Sequence, residues 1–176
     1  MKVILKNILF YILNPIFHVR FKSKIRKVEK LLLVDIDNTI AKTHEYLIEK
    51  HKIDVSELEP IVPVQKWIMK QAKDKTVIYL SARNYLLYGK TRKWLKDKGF
   101  IFEQNMVVLV LTPLQKIQYL ETCLKDNVQV TYIDDMSFVN KNYEHHLYED
   151  LIRKIEKMPI EYLGYKEIKK LILAND

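Results

Sequence analysis

Acidic side chains follow two of the most apolar runs of the chain and point to a metal site. Asp35 and Asp37 come directly after LLLV, and Asp134 and Asp135 follow QVTYI. In extended backbone, residues two positions apart point to the same side, so Asp35 and Asp37 repel each other unless a cation lies near them. A set of carboxylate oxygens, with no cysteine or histidine beside it, suits Mg²⁺ bound together with a phosphorylated ligand. The spacing therefore predicts a magnesium site.

Two further apolar runs end in residues that suit phosphate chemistry. Ser81, Ala82 and Arg83 follow TVIYL, and Lys116 lies shortly after MVVLVL. An aspartate can attack a phosphoryl group and form an aspartyl-phosphate, while Mg²⁺ and a lysine neutralise the phosphoryl oxygens. A second carboxylate can protonate the leaving oxygen and then activate water, a role worth roughly 10²–10⁴-fold in rate. A turn residue, a helix cap or a solvated lysine would explain each residue alone, but the four segments together favour one site.

These residues must be positioned by alternating strands and helices. Apolar, β-branched runs predict five strands: Leu31–Asp35, Thr76–Leu80, Met106–Leu111, Gln129–Ile133 and Ile160–Leu163. Helical spacing predicts five helices: Val64–Lys73, Tyr85–Lys98, Pro113–Lys125, Tyr143–Lys157 and Lys166–Leu173. This alternation predicts an α/β fold with a mainly parallel central sheet and helices on both faces. In such sheets, ligands bind beyond the carboxyl ends of the strands, which is where the four polar segments lie.

Four segments resemble the ordered motifs of a known enzyme superfamily. LLLVDIDNTI, VIYLSAR, Lys116 and VTYIDD are similar, in this order, to the motifs of haloacid dehalogenase-like (HAD) phosphohydrolases, over residues 30–140. The resemblance implies a Rossmann-like three-layer α/β/α sandwich, Mg²⁺ as the cofactor and hydrolysis of a phosphomonoester. Members that only dehalogenate lack the second aspartate of the first motif, so Asp37 implies phosphoryl chemistry.

The resemblance also implies a role for each matching residue of the first and fourth motifs. Asp35 matches the nucleophile and a Mg²⁺ ligand. Asp37 matches the general acid and base, and its backbone carbonyl would also bind the metal. Thr39 matches the residue that orients Asp37 and steadies the turn. Asp134 matches the metal ligand of the fourth motif, with Asp135 acting directly or through water.

The second and third motifs imply the phosphate-binding groups. Ser81 matches the phosphate-binding hydroxyl, with Ala82 beside it, and Lys116 matches the lysine of the third motif. The S-A-R form of the second motif is loosely similar to that of polynucleotide phosphatase domains. Arg83 would then support the site by contacting a second substrate anion, and the alternative is an exposed surface arginine.

The segments between the motifs are too short for a separate domain, so we expect an open site with no large cap domain. Residues 44–61 are predicted to form a flap over it. The expected substrate is a small or medium phosphoester, such as a phosphosugar or a lipid-linked phosphate, although an open site also admits polymers. A nucleotide or polynucleotide end phosphatase is the alternative enzyme. The alternative of another class is a catalytically idle scaffold that binds phosphate or a membrane.

The amino-acid composition limits which folds and functions are possible. A chain of 176 residues with 48% hydrophobic and 30% charged side chains can bury a core, and it is long enough for one domain. Its three dispersed glycines exclude a glycine-rich phosphate loop. The single cysteine, Cys123, excludes a disulfide framework and a thiolate metal cluster, and it fits a cytoplasmic location.

Residues 1–30 form a basic, apolar segment ahead of a catalytic domain expected at 31–176. This segment holds seven of the eight net positive charges, so the remainder is nearly neutral and nucleic acid is not a favoured partner. One interpretation is a helix that packs on the domain. Another is a helix in the interface at the inner face of a membrane, because its apolar run at 3–13 is about half the span of ~20 residues that a crossing needs. A third is a disordered or cleaved arm.

Overall fold

A parallel sheet of five strands forms the centre of the protein. In the computed structural model, which describes residues 2–51, 54–100, 106–140 and 142–174, the strands have the order β3-β2-β1-β4-β7. A separate two-stranded hairpin pairs β5 with β6 in antiparallel fashion. The strands are β1 (Lys30–Val34), β2 (Thr76–Ser81), β3 (Met106–Leu109), β4 (Gln129–Ile133), β5 (Ser137–Val139), β6 (His145–Leu147) and β7 (Glu161–Leu163).

Helices cover both faces of this sheet, which gives a Rossmann-like three-layer sandwich without a large cap. Helix α3 packs against α7, while α1 packs against α5. A capping box of Thr112 and Gln115 forms the turn that leads into α5. The predicted fold class is therefore confirmed. The helices are α1 (Lys2–Ile25), α2 (Thr43–Lys50), α3 (Val62–Gln71), α4 (Tyr88–Asp97), α5 (Lys116–Lys125), α6 (Glu149–Glu156) and α7 (Tyr165–Leu173).

The central strand β1 is apolar because it lies inside the sheet. Its residues from Leu31 to Val34 are fully buried, because β2 and β4 flank it and helices cover both of its faces. The five predicted strands are confirmed to within a few residues. The register places Val34 beside Tyr79 of β2 and Ile133 of β4, so the three strands end at one edge of the sheet.

The predicted helix over Tyr143–Lys157 is wrong in its first part. Residues His145–Leu147 form strand β6, and α6 begins only at Glu149. The side-chain oxygen of Asn140 accepts hydrogen bonds from the backbone N–H groups of Asn142 and Glu144, and Tyr143 has a φ of 62°. This local turn reverses the chain, so the segment pairs with β5 instead of continuing as a helix.

The second half of α1 belongs to the core of the domain. Phe17, Phe21 and Ile25 recur every four residues and are buried, and each contributes roughly 1.5–3 kcal/mol relative to exposure. The ring of Phe21 meets Tyr119 of α5 edge-on at 4.9 Å. Packing on the domain is thus the interpretation that these residues support.

The apolar run at 3–13 lies mostly outside the side chains that the structure describes, so the membrane-interface interpretation stays a prediction. Within the described chain, no helix combines the length and apolarity that a bilayer crossing requires.

Candidate active site

The carboxyl ends of three neighbouring strands bring the predicted residues together. Asp35 follows β1, Ser81 ends β2 and Asp134 follows β4, while the first residue of α5, Lys116, approaches from the next layer. They border a cleft of about 320 Å³. The predicted residues that line this cleft are Asp35, Asp37, Ser81, Ala82, Lys116 and Asp134.

Lys116 bridges two of the aspartates. Its Nζ donates to Oδ1 of Asp35 and to Oδ2 of Asp134, at 2.7 Å in each case. All three residues are buried, so each charge depends on the others for compensation. Burial alone would lower the pKa of Lys116, but Asp134 and Asp35 raise it above its ordinary value. The ammonium therefore stays charged.

Asp134 is fixed by a further set of hydrogen bonds. The hydroxyl of Tyr132 donates to its Oδ2, and the backbone N–H of Met136 donates to its Oδ1 at 2.8 Å. The hydroxyl of Tyr162 donates to its backbone carbonyl at 2.9 Å. Met136 has a φ of 46°, in the left-handed region, so the chain turns sharply directly after this hydrogen bond. The carboxylate is thus held in one orientation.

Three carboxylates form a cluster that could hold a metal ion. Asp35, Asp134 and Asp135 each offer an oxygen, and the three oxygens lie within 4.8 Å of one another. Burial, followed by the charge of Asp134, raises the pKa of Asp35 to about 7 and that of Asp135 well above its ordinary value. These raised pKa values mean that ionising the carboxyl groups beside the single ammonium of Lys116 is costly, and a divalent cation would lower that cost by binding them as carboxylates. An all-oxygen donor set of this kind fits Mg²⁺.

The carboxylate of Asp37 is not a member of this cluster. Nε and Nη2 of Arg83 donate to its two oxygens at 2.7 Å each, and Oγ1 of Thr43 donates to Oδ1 at 2.6 Å. Burial would raise the pKa of Asp37, but the guanidinium and these hydrogen bonds lower it below its ordinary value. Asp37 is therefore ionised, and the prediction that its backbone carbonyl binds the metal stays a prediction.

Arg83 is buried, so the interpretation of an exposed surface arginine is wrong. Its side chain is only 4% exposed, and Nη1 also donates to Thr91 of α4 at 3.3 Å. The reason is the bidentate pair, because a carboxylate at hydrogen-bond distance compensates the buried guanidinium. Contact with a second substrate anion stays a prediction, and it would have to compete with Asp37.

Thr39 has a different partner from the one that the resemblance implies. Its Oγ1 accepts a hydrogen bond from the backbone N–H of Asp135 at 3.1 Å and donates to Oδ1 of that residue at 3.3 Å. Thr43 contacts Asp37 in its place, and sequence reasoning missed it. The turn after β1 is the cause, because Asn38 has a φ of 56° and redirects the chain so that α2 returns over Asp37.

Asn38 also joins the two walls of the cleft and was not recognised from sequence as a site residue. Its side-chain oxygen accepts from the backbone N–H of His44 in α2 at 2.7 Å. Its side-chain nitrogen donates to Oγ of Ser137 in β5 at 3.3 Å. The only sequence signal was an asparagine, a residue that tolerates left-handed backbone, within the acidic turn.

Ser81 carries a buried hydroxyl that has no partner among the described residues. Its side-chain oxygen is inaccessible to solvent and makes no hydrogen bond with that part of the chain, although the residue lines the cleft. Buried polar groups are nearly always hydrogen-bonded, so an orphan at a cleft calls for a ligand. This hydroxyl is the group that the sequence predicts to bind phosphate.

The outer wall of the cleft comes from α2 and from the β5–β6 hairpin. Of the predicted flap at 44–61, His44 and Leu47 border the cleft, and Phe138 and Val139 border it from the hairpin. Burial and the nearby His145, whose ring centroid lies 4.9 Å away, lower the pKa of His44 to about 4. This wall is therefore uncharged near neutral pH.

Comparison with known proteins gives no relative. No protein-family model matches the chain, and neither a curated protein nor a solved structure is significantly similar to it. The function is therefore inferred from the geometry of the cleft.

Proposed function

We propose that this protein is a Mg²⁺-dependent phosphatase of the HAD-like type, which hydrolyses a phosphomonoester through an aspartyl-phosphate on Asp35. The observation that carries the proposal is the buried group of Asp35, Lys116 and Asp134, with both Nζ–oxygen distances at 2.7 Å, beside the unpartnered hydroxyl of Ser81. A cluster of buried carboxyl groups whose pKa values are raised by burial and by one another is costly for a purely structural role. It suits a site that binds a cation and a phosphoryl group together.

In the first step, an oxygen of Asp35 bonds to phosphorus while the bond from phosphorus to the leaving oxygen breaks. Lys116 and the hydroxyl of Ser81 hold the phosphoryl oxygens, and Asp37 gives its proton to the leaving oxygen. When bound by Asp35, Asp134 and Asp135, Mg²⁺ would supply the charge that lets one anion approach another.

In the second step, Asp37 accepts a proton from water as the water oxygen bonds to phosphorus and the bond to Asp35 breaks. The pair with Arg83 keeps Asp37 ionised, which is the form that this step needs. The first step needs the protonated form. We infer that the phosphoester brings this proton, because phosphomonoesters are partly protonated near pH 6, and that the proton passes from the monoanion through Asp37 to the leaving oxygen.

The test is phosphate release from a panel of phosphoesters, with Mg²⁺ or with EDTA. We expect turnover that requires Mg²⁺ and is lost in Asp35→Asn. The matched control is Asp97→Asn, which changes the same side chain at an exposed ion pair with Lys93 and should keep full activity. Equal turnover in Asp35→Asn and the wild type would overturn the proposal.

Two other outcomes separate the alternatives. Faster release from an oligonucleotide 3′-phosphate than from every small ester would favour the polynucleotide end phosphatase. Folded protein that binds Mg²⁺ but turns over no ester would favour the idle scaffold.

A further inference from the structure

The cleft has a charged floor and an apolar outer wall. The floor contains the groups that would bind and attack a phosphoryl group, and its charged members are Asp35, Asp37, Lys116 and Asp134. The outer wall surrounds the space where the rest of a phosphoester would lie. Its apolar members are Leu47, Phe138 and Val139, and the apolar residues Leu111, Pro113 and Tyr148 border the cleft beside it.

The described lining offers no spare cation to a second anionic group. Lys116 is the only lysine or arginine among the described residues that border the cleft, and two carboxylates already hold its ammonium. Arg83, behind Asp37, is engaged by both oxygens of that carboxylate. A second phosphate on the leaving group would thus lie near Asp37 without compensation.

Phe138 packs against two neighbouring rings at this wall. Its centroid lies 4.6 Å from that of Tyr148, and it stacks on His146 at 5.4 Å with an interplanar angle of 26°. The backbone N–H of Tyr148 donates to the carbonyl of Met136 at 2.8 Å. Tyr148, which contacts Phe138, is therefore hydrogen-bonded to the turn beside Asp134. A ring held by its neighbours can present a fixed apolar surface to a ligand.

We propose that the leaving group of the substrate is an uncharged alcohol that presents an apolar or aromatic surface to Phe138 and Leu47. This proposal rests on the proposed phosphatase function and narrows its substrate class. The cleft holds about 320 Å³, which is at the small end of ligand pockets and accommodates one ring with a short linker.

The test compares three phosphoesters whose reacting ends are alike. Ethyl phosphate and 2-phenylethyl phosphate have alcohols of similar acidity, so a difference between them reports binding of the ring. The bisphosphate of 1,3-propanediol adds a charge in place of the ring. For the wild type with Mg²⁺, we expect kcat/KM for 2-phenylethyl phosphate to exceed that for ethyl phosphate by about tenfold or more. We expect the bisphosphate to be the poorest substrate.

Substitution of the ring supplies the second half of the test. In Phe138→Ala the ratio of kcat/KM for the phenylethyl and ethyl esters should fall toward 1, and Phe138→Leu should retain an intermediate ratio. Because each ratio is internal to one variant, a general loss of activity does not affect it. The control is Tyr143→Ala, which removes an exposed ring from the same hairpin and should leave the ratio unchanged.

The outcomes distinguish the two proposals. Turnover of ethyl phosphate that depends on Asp35, together with equal rates for all three esters, keeps the phosphatase and overturns the inference about the leaving group. Preference for the bisphosphate overturns it as well. No turnover of any ester in folded protein with Mg²⁺ overturns both.

Discussion

The cations of Lys116 and Arg83 lie beside the same cleft, but their surroundings differ in charge. Arg83 and Asp37 form a balanced pair, because one guanidinium faces one carboxylate and both oxygens of that carboxylate accept hydrogen bonds. The cluster around Lys116 is unbalanced, because one ammonium lies among three carboxyl groups and the pKa values of two of them, Asp35 and Asp135, are raised by burial and by Asp134. A balanced pair orients a side chain and needs nothing more. In an unbalanced cluster, a bound cation would lower the cost of ionising the carboxyl groups.

Asp35→Asn should have the largest effect, because it removes the proposed attacking group and one carboxyl group of the unbalanced cluster. We expect phosphate release to fall by at least about 10³-fold. We also expect the metal-free fold to gain stability. The pKa of Asp35 is raised from 3.8 to about 7, so in the wild type its ionisation opposes folding progressively as the pH rises through this interval.

Urea unfolding in EDTA measures this second effect. The stability of Asp35→Asn relative to the wild type should increase from pH 5 to pH 8, by an amount on the order of a few kcal/mol. A difference that stays constant with pH would contradict the raised pKa.

Mg²⁺ should stabilise the wild type through the unbalanced cluster. At a concentration 100 times its Kd, a ligand that binds only the folded state adds about 2.7 kcal/mol to the free energy of unfolding. Asp134→Asn should lose most of this increase, whereas Asp97→Asn should keep it. Urea titration with and without Mg²⁺ measures this increase in the free energy of unfolding. If Asp134→Asn shows the full increase, the ion binds elsewhere.

Asp37→Asn should destabilise the protein, in contrast to Asp35→Asn. The change leaves the buried guanidinium of Arg83 without its carboxylate, which costs several kcal/mol for a fully buried pair. Since the side chain of Asp37 is 30% exposed, we expect a smaller loss of about 2 kcal/mol. Asp97→Asn should change stability by less than about 0.5 kcal/mol. Equal stability of Asp37→Asn and the wild type would mean that the pair is not balanced as described.

His44, beside the balanced pair, should have the smallest effect. Its pKa is lowered from 6.5 to about 4, so the unfolded chain binds a proton that the folded protein rejects in this interval. Stability should therefore fall as the pH drops from 6.5 to 4, and His44→Gln should reduce the fall by about 1 kcal/mol, allowing for its partial exposure. Thermal unfolding over this pH range would show it, and an identical slope in His44→Gln would contradict it.

The sequence predicted the strands and the acidic residues well because these depend on short-range patterns. Every residue of Leu31–Val34 is apolar, as a strand that is buried on both faces of a parallel sheet requires. Once strand ends meet at one edge, the chemistry of the residues after them follows from the topology. Asp35, Ser81, Lys116 and Asp134 were located in this way.

The partners of Asp37 could not be predicted, because they depend on how the chain folds back in three dimensions. Nothing in the residues around Thr39 and Thr43 indicates which hydroxyl reaches Asp37 and which reaches Asp135. The burial of Arg83 likewise depends on its hydrogen bonds to Asp37, a residue that is distant in the sequence. The hairpin was missed because three-residue strands are too short for periodicity to distinguish them from the start of a helix.

The side-chain amide of Asn38 has a consequence for how the cleft keeps its dimensions. It lies next to Asp37 in the chain and binds one wall through His44 and the other through Ser137. The spacing of the walls and the position of the carboxylate that we propose as the proton donor are thus set by consecutive residues of one turn. In the proposed mechanism, a movement of either wall therefore also shifts Asp37 relative to the leaving oxygen.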